Sequence, residues 1–338
     1  MRAALLINQP TVKDFFRTSQ YDVQPGNRFY RHSFILVSDT PSDIWSNWLL
    51  RDRHGDDTEY RSRLRVEMTA YADRVLNFAR LKPHMKLADI GTGDGLVAFR
   101  AIERTGGKLN VTMTDISAPM LAHAGARAHV LGVHDQCEFL QCPAEKLDGV
   151  DDASVDAVVM RAVLAYVADK PAAMREFFRI LKPGGRLAMA EPVIRDEALE
   201  VCALKQIVDA RIGDPQDPFF ALLLRCRAAQ YPDTKEKISS LPITSYGERD
   251  LVRFAVDTGF TDIHLELHID VRTEDSPSWQ TYLHTSPYPG APTLKSVLET
   301  QFTLGEREFL EARLRPLVES GHRFAAVRIA YLTAQRPH

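Results

Sequence analysis

Cysteine is scarce in this sequence, and its spacing builds neither a disulfide framework nor a zinc site. Only four cysteines occur in 338 residues, and they show no CxxC spacing and no histidine at zinc-finger spacing. We therefore expect free thiols in a reducing compartment: Cys137, Cys142, Cys202 and Cys226. No cluster of Asp, Glu and His stands at an obvious metal spacing either, so no metal site is expected.

Long apolar runs and an excess of one charge are also missing. No stretch approaches the ~18 apolar residues of a membrane-spanning helix, and the apolar run in MRAALLINQP is too short for a signal peptide. The chain has 42 Lys and Arg against 45 Asp and Glu, a net charge of -3. This balance favours neither nucleic acid nor an anionic membrane. We expect a cytoplasmic protein, with a homodimer as an option for its assembly.

Predicted strands and helices alternate along most of the chain. Apolar residues at three- and four-residue spacing predict a helix over 58–79. Strands are expected at 86–90, 110–114, 138–141, 157–160, 186–190, 261–271 and 325–333. Strands separated by helices are typical of an α/β fold with a parallel, doubly wound, Rossmann-like sheet, here seven-stranded.

The domain organisation follows from breaks in this alternation. Residues 1–79 are interpreted as a helical N-terminal cover, and residues 80–338 as the catalytic domain. The alternation loosens twice within the catalytic domain, which indicates inserts at about 193–245 and 273–320. Residues 182–185, Lys-Pro-Gly-Gly, are interpreted as a turn before the fifth strand.

The segment 87–95, LADIGTGDG, is the strongest chemical feature. An apolar strand runs into three glycines and then a helix, which places a nucleotide-like ligand at the carboxyl edge of the sheet. Gly93-x-Gly95-x-x-Ala98 also fits the looser dinucleotide pattern, so an NAD-dependent enzyme is an alternative. A glycine turn without any ligand is the simplest alternative.

Asp89 shifts the balance away from a dinucleotide. A carboxylate two residues before Gly91 would repel a pyrophosphate, whereas it would attract a cationic ligand. The order of four segments adds to this: DIGTGDG with Asp115 at the end of the next strand, then PAEKL, VDAVVMRAVLAYV and RILKPGGRLAMAEP. This ordered set, over residues 85–192, resembles the motifs of class I methyltransferases that use S-adenosylmethionine (SAM).

The resemblance implies a SAM-dependent methyltransferase domain over residues 80–338 and a set of cofactor contacts. The glycine segment would face the methionine part, Asp115 the ribose hydroxyls, the residues after it the adenine, and those after the fourth strand the sulfonium. The implied cofactor residues are Asp89, Gly91, Thr92, Gly93, Gly95, Asp115, Ile116, Met120, Cys142, Ala144, Glu145, Arg161 and Ala162.

Several of these assignments have simpler alternatives. Asp115 could cap the following helix, and Arg161 could be an ordinary surface arginine. Pro143 stands where the family often has an acid that meets the adenine amino group. Its side chain can neither donate nor accept a hydrogen bond, so this contact would fall to its neighbours.

Acceptor contacts are expected from outside the motif core. Tyr71 on the cover helix, Tyr166 after the fourth strand and His284 in the second insert are the catalytic candidates. The stripe that contains Tyr71 could be plain core, and His284 could be a structural or surface histidine rather than a general base. Three alternating arginines are interpreted as solvated, because they cannot share one helix face: Arg61, Arg63 and Arg65.

The acceptor is expected to be a small molecule, because a long cover and two inserts predict an enclosed site without a basic groove. In size and layout the chain is similar to bacterial S-methyltransferases that act on 4-methylthio-2-hydroxybutyrate in dimethylsulfoniopropionate synthesis. The resemblance implies methylation of a thioether carboxylic acid, which has no proton to lose and needs no base or metal. O- or N-methylation of a secondary metabolite is the alternative, and a non-catalytic SAM- or NAD-binding protein is the alternative of another class.

Overall fold

The computed structural model describes residues 42–210, 216–271, 277–320 and 326–338, all within one compact unit, Val37–His338. The first 41 residues of the predicted cover lie outside the described residues. Within these ranges, no helix is both long and apolar enough to cross a bilayer. The predicted division of the chain after residue 79 stays a prediction.

Seven strands form one sheet in the order β3-β2-β1-β4-β5-β7-β6. Strands β1 to β5 pair in parallel, and β7 runs antiparallel to both β5 and β6. The Rossmann-like methyltransferase sheet is thus confirmed. The prediction that all strands are parallel was wrong for β7, which is antiparallel to its neighbours. The bounds are β1 Lys86–Ile90, β2 Asn110–Asp115, β3 Cys137–Gln141, β4 Val155–Arg161, β5 Leu181–Pro192, β6 Thr261–Val271 and β7 Ala326–Gln335.

The helices lie between and around these strands. Those nearest the sheet are α2 Thr58–Ala79, α3 Leu96–Arg104, α4 Ala118–Leu131, α5 Lys170–Ile180 and α9 Glu248–Thr258. Before them come a short helix α1, Ile44–Asn47, and a π-helical turn, Trp48–Asp52. The inserts hold α6 Arg195–Asp209, α7 Phe219–Ala228, α8 Lys235–Ser240, α10 Trp279–His284, α11 Leu294–Gln301 and α12 Leu304–Glu319.

Helix α2 is the predicted cover helix, and its local sequence explains both ends. Asp57 caps the first turn by accepting a hydrogen bond from the backbone N–H of Tyr60, 2.9 Å away. Arg80 adopts a left-handed conformation that ends the helix before Pro83. The face toward β4 and β5 is buried at Tyr71 and Val75, so α2 lies directly over the sheet at the site.

One local prediction was wrong, and one short helix was not predicted. Residues 182–185 bulge out between two registers, Val155 with Leu181 and Ala157 with Arg186, so they lie within β5 rather than before it. The short helix α8 has no clear apolar periodicity and is absent from the sequence-based interpretation. The inserts share a separate apolar cluster that includes Leu222, and this cluster holds them together above the sheet.

Candidate active site

A cavity of about 540 Å³ opens at the carboxyl edge of the parallel strands. One wall consists of the loops after β1, β2, β3 and β4. The opposite wall comes from α1, the π-helical turn, α2 and both inserts. A cavity between the switch point of a doubly wound sheet and a cover is the usual place for a nucleotide-like ligand.

Tight backbone geometry shapes the glycine loop after β1. Gly91 and Gly93 have φ values of +59° and +55°, which side chains rarely tolerate. A Cβ atom on Gly91 would lie 2.5 Å from Cγ2 of Val163, and one on Gly93 would lie 3.2 Å from Cδ2 of Leu49. The loop backbone therefore lies at the cavity surface, where a ligand can approach it closely.

Asp89 lies at the end of β1 and is 1% exposed. Its Oδ2 accepts hydrogen bonds from Thr92 Oγ1 at 2.7 Å and from the backbone N–H of Ala98 at 3.2 Å. Burial raises the pKa of Asp89 to about 7, although these two hydrogen bonds oppose the shift. A bound cation would offset the free-energy cost of burying this carboxylate, so the site suits a positively charged ligand.

Asp115 ends β2 beside Asp89, because β1 and β2 pair in parallel up to Ile90 and Thr114. Its Oδ2 accepts from the backbone N–H of Gly93 at 2.8 Å, and its Oδ1 accepts from Ser117 N–H at 2.9 Å. Burial raises its pKa. The cap of α4 is Ser117 rather than Asp115, so Asp115 orders the glycine loop at the cavity wall.

These residues fit SAM. The cavity wall contains twelve of the thirteen predicted cofactor residues, and Gly95 is the exception. Gly95 instead starts α3 with φ +78°, where a Cβ atom would clash with Phe99. The Oγ1 atom of Thr114, which also lines the cavity, is buried without a partner within the described residues and is available to a ligand.

The far side of the cavity carries guanidinium groups. Nη2 of Arg53 and Nη1 of Arg161 lie 2.7 Å and 3.2 Å from the sulfur of Met68 on α2. Arg227, from the first insert, completes a set of three cavity-lining arginines. Across the described ranges, no carboxylate lies within ion-pair distance of any of the three. Burial lowers the pKa of Arg161 to about 10, so Arg161 stays charged at neutral pH.

An aromatic wall stands next to the arginines. Tyr166 packs edge-on against Trp45 and Trp48, with ring centroids 5.3 Å and 6.5 Å away. Trp48 Nε1 donates to the carbonyl of Ser286 at 3.0 Å, which ties the π-helical turn to the second insert. Burial raises the pKa of Tyr166 to about 12. Together these groups form an apolar side of the cavity.

The structure places two of the three catalytic candidates at the cavity and one away from it. Tyr166 and Tyr71 line the cavity, and the hydroxyl of Tyr71 donates to Glu67. His284 does not line the cavity, so its prediction as a general base is not supported by its position. The ring of His284 lies at the end of α10, where Nδ1 is 2.8 Å from the carbonyl of Gln280 and Nε2 is 3.4 Å from Nζ of Lys295.

Sequence reasoning missed the arginines that the fold brings to the cavity. Arg53 and Arg227 belong to no motif, and their positions depend on how the cover and the first insert fold over the sheet. The interpretation of Arg65 as solvated was wrong, because Arg65 forms an ion pair with Asp94 of the glycine loop. In the structure, Trp48 and Arg53 are joined by a π-helical turn, a feature frequent at functional sites, which the sequence does not reveal.

The described ranges also contain no group of three His, Cys, Asp or Glu side chains arranged to hold a metal ion.

Comparison with known proteins points to one family. Residues 88–189 match the family model described as "Methyltransferase domain". The ubiquinone/menaquinone biosynthesis C-methyltransferase UbiE of Rhizobium meliloti is 30% identical over 178 residues, 53% of this chain and 65% of that protein. The tRNA 5-carboxymethoxyuridine methyltransferase of Escherichia coli K12 is 33% identical over 118 residues, 35% and 43% of the two chains.

Among solved structures, phosphoethanolamine N-methyltransferase 2 of Haemonchus contortus, in complex with S-adenosyl-L-methionine, aligns with a TM-score of 0.46 and 18% identity. The alignment covers 88% of this chain and 61% of that one. The chain spans 41% and 65% of the length of the first two curated relatives it matches. Residues 88–189 thus match a methyltransferase domain, and the glycine loop and the two buried carboxylates agree with SAM as its cofactor.

Proposed function

We propose that this chain transfers the methyl group of SAM to a small acceptor that carries a carboxylate, with a thioether sulfur as the accepting atom. The observation that carries the proposal is the set of three cavity-lining arginines, Arg53, Arg161 and Arg227, none of which forms an ion pair with a carboxylate within the described residues. Arg161 interacts with Asp89 and Asp94 only at longer range. Guanidinium groups favour carboxylates because they offer paired donors and charge. 4-Methylthio-2-hydroxybutyrate is the best candidate of this class.

Proton chemistry supports a thioether over a hydroxyl acceptor. A hydroxyl usually needs a base in the transition state, whereas a thioether has no proton to lose. Burial raises the pKa of Tyr166 to about 12, so it is a poor base at neutral pH. Burial also raises the pKa of Tyr231, on the same wall. Glu67 is the remaining carboxylate on this wall, and it accepts from the hydroxyl of Tyr71.

The residues of the chain would act mainly by alignment and by exclusion of water. Bound SAM supplies an activated methyl group on a sulfonium. Asp89 and the glycine loop would hold its methionine part, and Asp115 its ribose. The arginines would fix the acceptor carboxylate, so that the acceptor sulfur lies in line with the methyl group. Trp45 and Trp48 line the cavity, and their apolar rings would keep water away from the in-line displacement.

The test is a turnover assay on purified protein with SAM and a panel of acceptors. The panel contains 4-methylthio-2-hydroxybutyrate, its decarboxylated thioether analogue, methionine, a phenol and a catechol. We expect S-adenosylhomocysteine and methylated product from the thioether acid, and far less product when the carboxylate is missing. Turnover of the phenol or catechol alone would replace the proposal by O-methylation. SAM binding without any turnover would instead favour a binding protein, while a preference for NADH would contradict the cofactor.

Methionine is an informative member of this panel. It has the same thioether and carboxylate, but an ammonium group replaces the hydroxyl. The three cavity-lining arginines would repel this ammonium, so we expect weaker turnover than with the hydroxy acid. Equal turnover of both acids would show that the arginines do not select the acceptor. A cytoplasmic location and a homodimer stay predictions.

A further inference from the structure

A buried carboxylate lies under the turn that follows β4, outside the cavity wall. Glu191, near the end of β5, is fully buried. Its oxygens accept hydrogen bonds from the backbone N–H of Val163 at 3.0 and 3.2 Å and of Ala165 at 3.0 Å. A carboxylate is expensive to bury unless hydrogen bonds and an opposite charge compensate it. Burial raises the pKa of Glu191, and these hydrogen bonds oppose the shift.

Lys170, at the start of α5, interacts with Glu191 electrostatically, although no ion pair within 4 Å joins the two side chains. Lys170 is 3% exposed, and its Nζ donates to the carbonyls of Val167 at 2.9 Å and Pro242 at 2.8 Å. The ammonium lies 4.9 Å from the ring centroid of Tyr246, whose hydroxyl donates to the carbonyl of Pro192. Within residues 163–167, the N–H groups of Val163 and Ala165 thus donate to Glu191, and the last carbonyl accepts from Lys170.

This turn connects both halves of the cavity. Val163 contacts Gly91 so closely that no Cβ atom would fit there. Ala162 before it has a strained φ of +55° and donates to the carbonyl of Ala190 at 2.8 Å. Tyr166 at the other end packs against Trp45 of the cover. A shift of the turn would therefore move a cofactor contact and an acceptor contact together.

We propose that Glu191 and Lys170 form a buried positioning pair, which sets the turn of residues 161–167 between the cofactor loop and the acceptor wall. Neither residue lines the cavity. They act through Arg161, Val163 and Tyr166, which do. The kinetic part of this inference rests on the proposed function, whereas the part that concerns SAM binding rests only on the cofactor site.

The central experiment is Glu191→Gln in the full chain. Glutamine keeps one acceptor oxygen but turns an N–H₂ group toward backbone N–H donors, so the turn must shift. We expect kcat to fall about 10- to 100-fold, because small misplacements of aligned groups cost that much. The Kd for SAM should rise about tenfold. Tryptophan emission without SAM should also change, because Trp45 contacts Tyr166 in the turn.

Glu306→Gln is the matched control. Glu306 also accepts a backbone N–H, that of Thr303 at 2.8 Å, and pairs with Arg225, but it lies on α12 outside the cavity wall. Its loss should lower the melting temperature while kcat, the Kd for SAM and the emission stay unchanged. A Glu191→Gln protein that behaves like this control would overturn the positioning role and leave only a structural one.

A second variant keeps the test decisive if Glu191→Gln does not fold. Lys170→Met keeps the length and removes the donor to Val167, and we expect the same combined loss of kcat and SAM affinity. Wild-type kcat, SAM affinity and emission in a folded Lys170→Met protein would refute the pair. If wild-type protein methylates no acceptor, the proposed function fails, but SAM affinity and emission of the variants still decide the positioning role.

Discussion

Arg65 of α2 forms an ion pair with Asp94, which lies between Gly93 and Gly95 in the glycine loop. Arg127 of α4 binds the same carboxylate at 3.0 Å. The two arginines hold the pKa of Asp94 well below its usual range, against the effect of burial. Because α2 also carries acceptor-side residues such as Met68, this ion pair connects the acceptor wall to the cofactor loop.

Removing this connection should weaken cofactor binding. Arg65→Met deletes a half-exposed partner of an ion pair, for which a loss of about 1 kcal/mol is typical. If the whole loss falls on the loop conformation that binds SAM, the Kd for SAM rises by up to about fivefold, measurable by calorimetry. Arg74→Met is the control, because Arg74 lies on the same helix and pairs with Glu266 of β6, away from the loop. Equal SAM affinities of the two variants would contradict the connection.

The same helix shows where sequence reasoning succeeds and fails. The range of α2 and its apolar stripe are local properties, and the sequence predicted the range of this helix. The argument that alternating arginines cannot share a face overlooked that Arg61 and Arg65 are one turn apart, and both interact with Asp94. Which charge they would meet depends on the packing of α2 over the sheet, which no local pattern encodes.

SAM affinity should depend on pH through Asp89. Burial raises the pKa of this carboxyl to about 7 in the free protein, and a bound cation would favour its charged form. Binding should therefore release a proton at acidic pH, and affinity should fall up to tenfold per unit as the pH drops below 7. Calorimetry between pH 5.5 and 8 should show this slope in wild type and not in Asp89→Asn. A flat wild-type profile would contradict the assignment.

Without SAM, the ionisation of Asp89 should lower the stability of the protein, so stability should fall with rising pH while SAM affinity rises. A group whose pKa is raised on folding stabilises the protein at pH values below its unfolded pKa, and this contribution is lost as the pH rises through about 7. Without SAM, Asp89→Asn should consequently raise the melting temperature at pH 8 more than at pH 5. Melting curves of both proteins at the two pH values provide the check. A uniform decrease would show that the charge stabilises the free site.

The three cavity-lining arginines give a further prediction. Arg53→Met should raise the KM for the acceptor about 10- to 100-fold, because a charge-assisted hydrogen bond contributes about 1.5–3 kcal/mol. The Kd for SAM should change less than about twofold. Arg51→Met is the control, since Arg51 belongs to the same π-helical turn but does not line the cavity. A rise in the Kd for SAM alone would place Arg53 in the cofactor half instead.

The cofactor half of the site was easier to predict from the sequence than the acceptor half. Asp89 and Asp115 lie at the carboxyl ends of two consecutive parallel strands, so their proximity could be inferred from the sequence. Acceptor residues come from segments far apart in the chain, such as Trp48 and Ser286, which are hydrogen-bonded across 238 positions. Ser286 reaches the cavity while His284 does not, and this difference depends on where α10 ends.

Tyr166 and His284 provide the sharpest test of base catalysis. His284→Asn should keep kcat within about twofold, because its ring contacts Gln280 and Lys295 outside the cavity. Tyr166→Phe should lower kcat less than about tenfold, since a thioether acceptor gives up no proton and the ring still packs against Trp45. Loss of a true general base would cost about 10²- to 10⁴-fold. Such a loss in Tyr166→Phe, with a changed pH profile, would favour an acceptor that must be deprotonated and so an O- or N-methyltransferase.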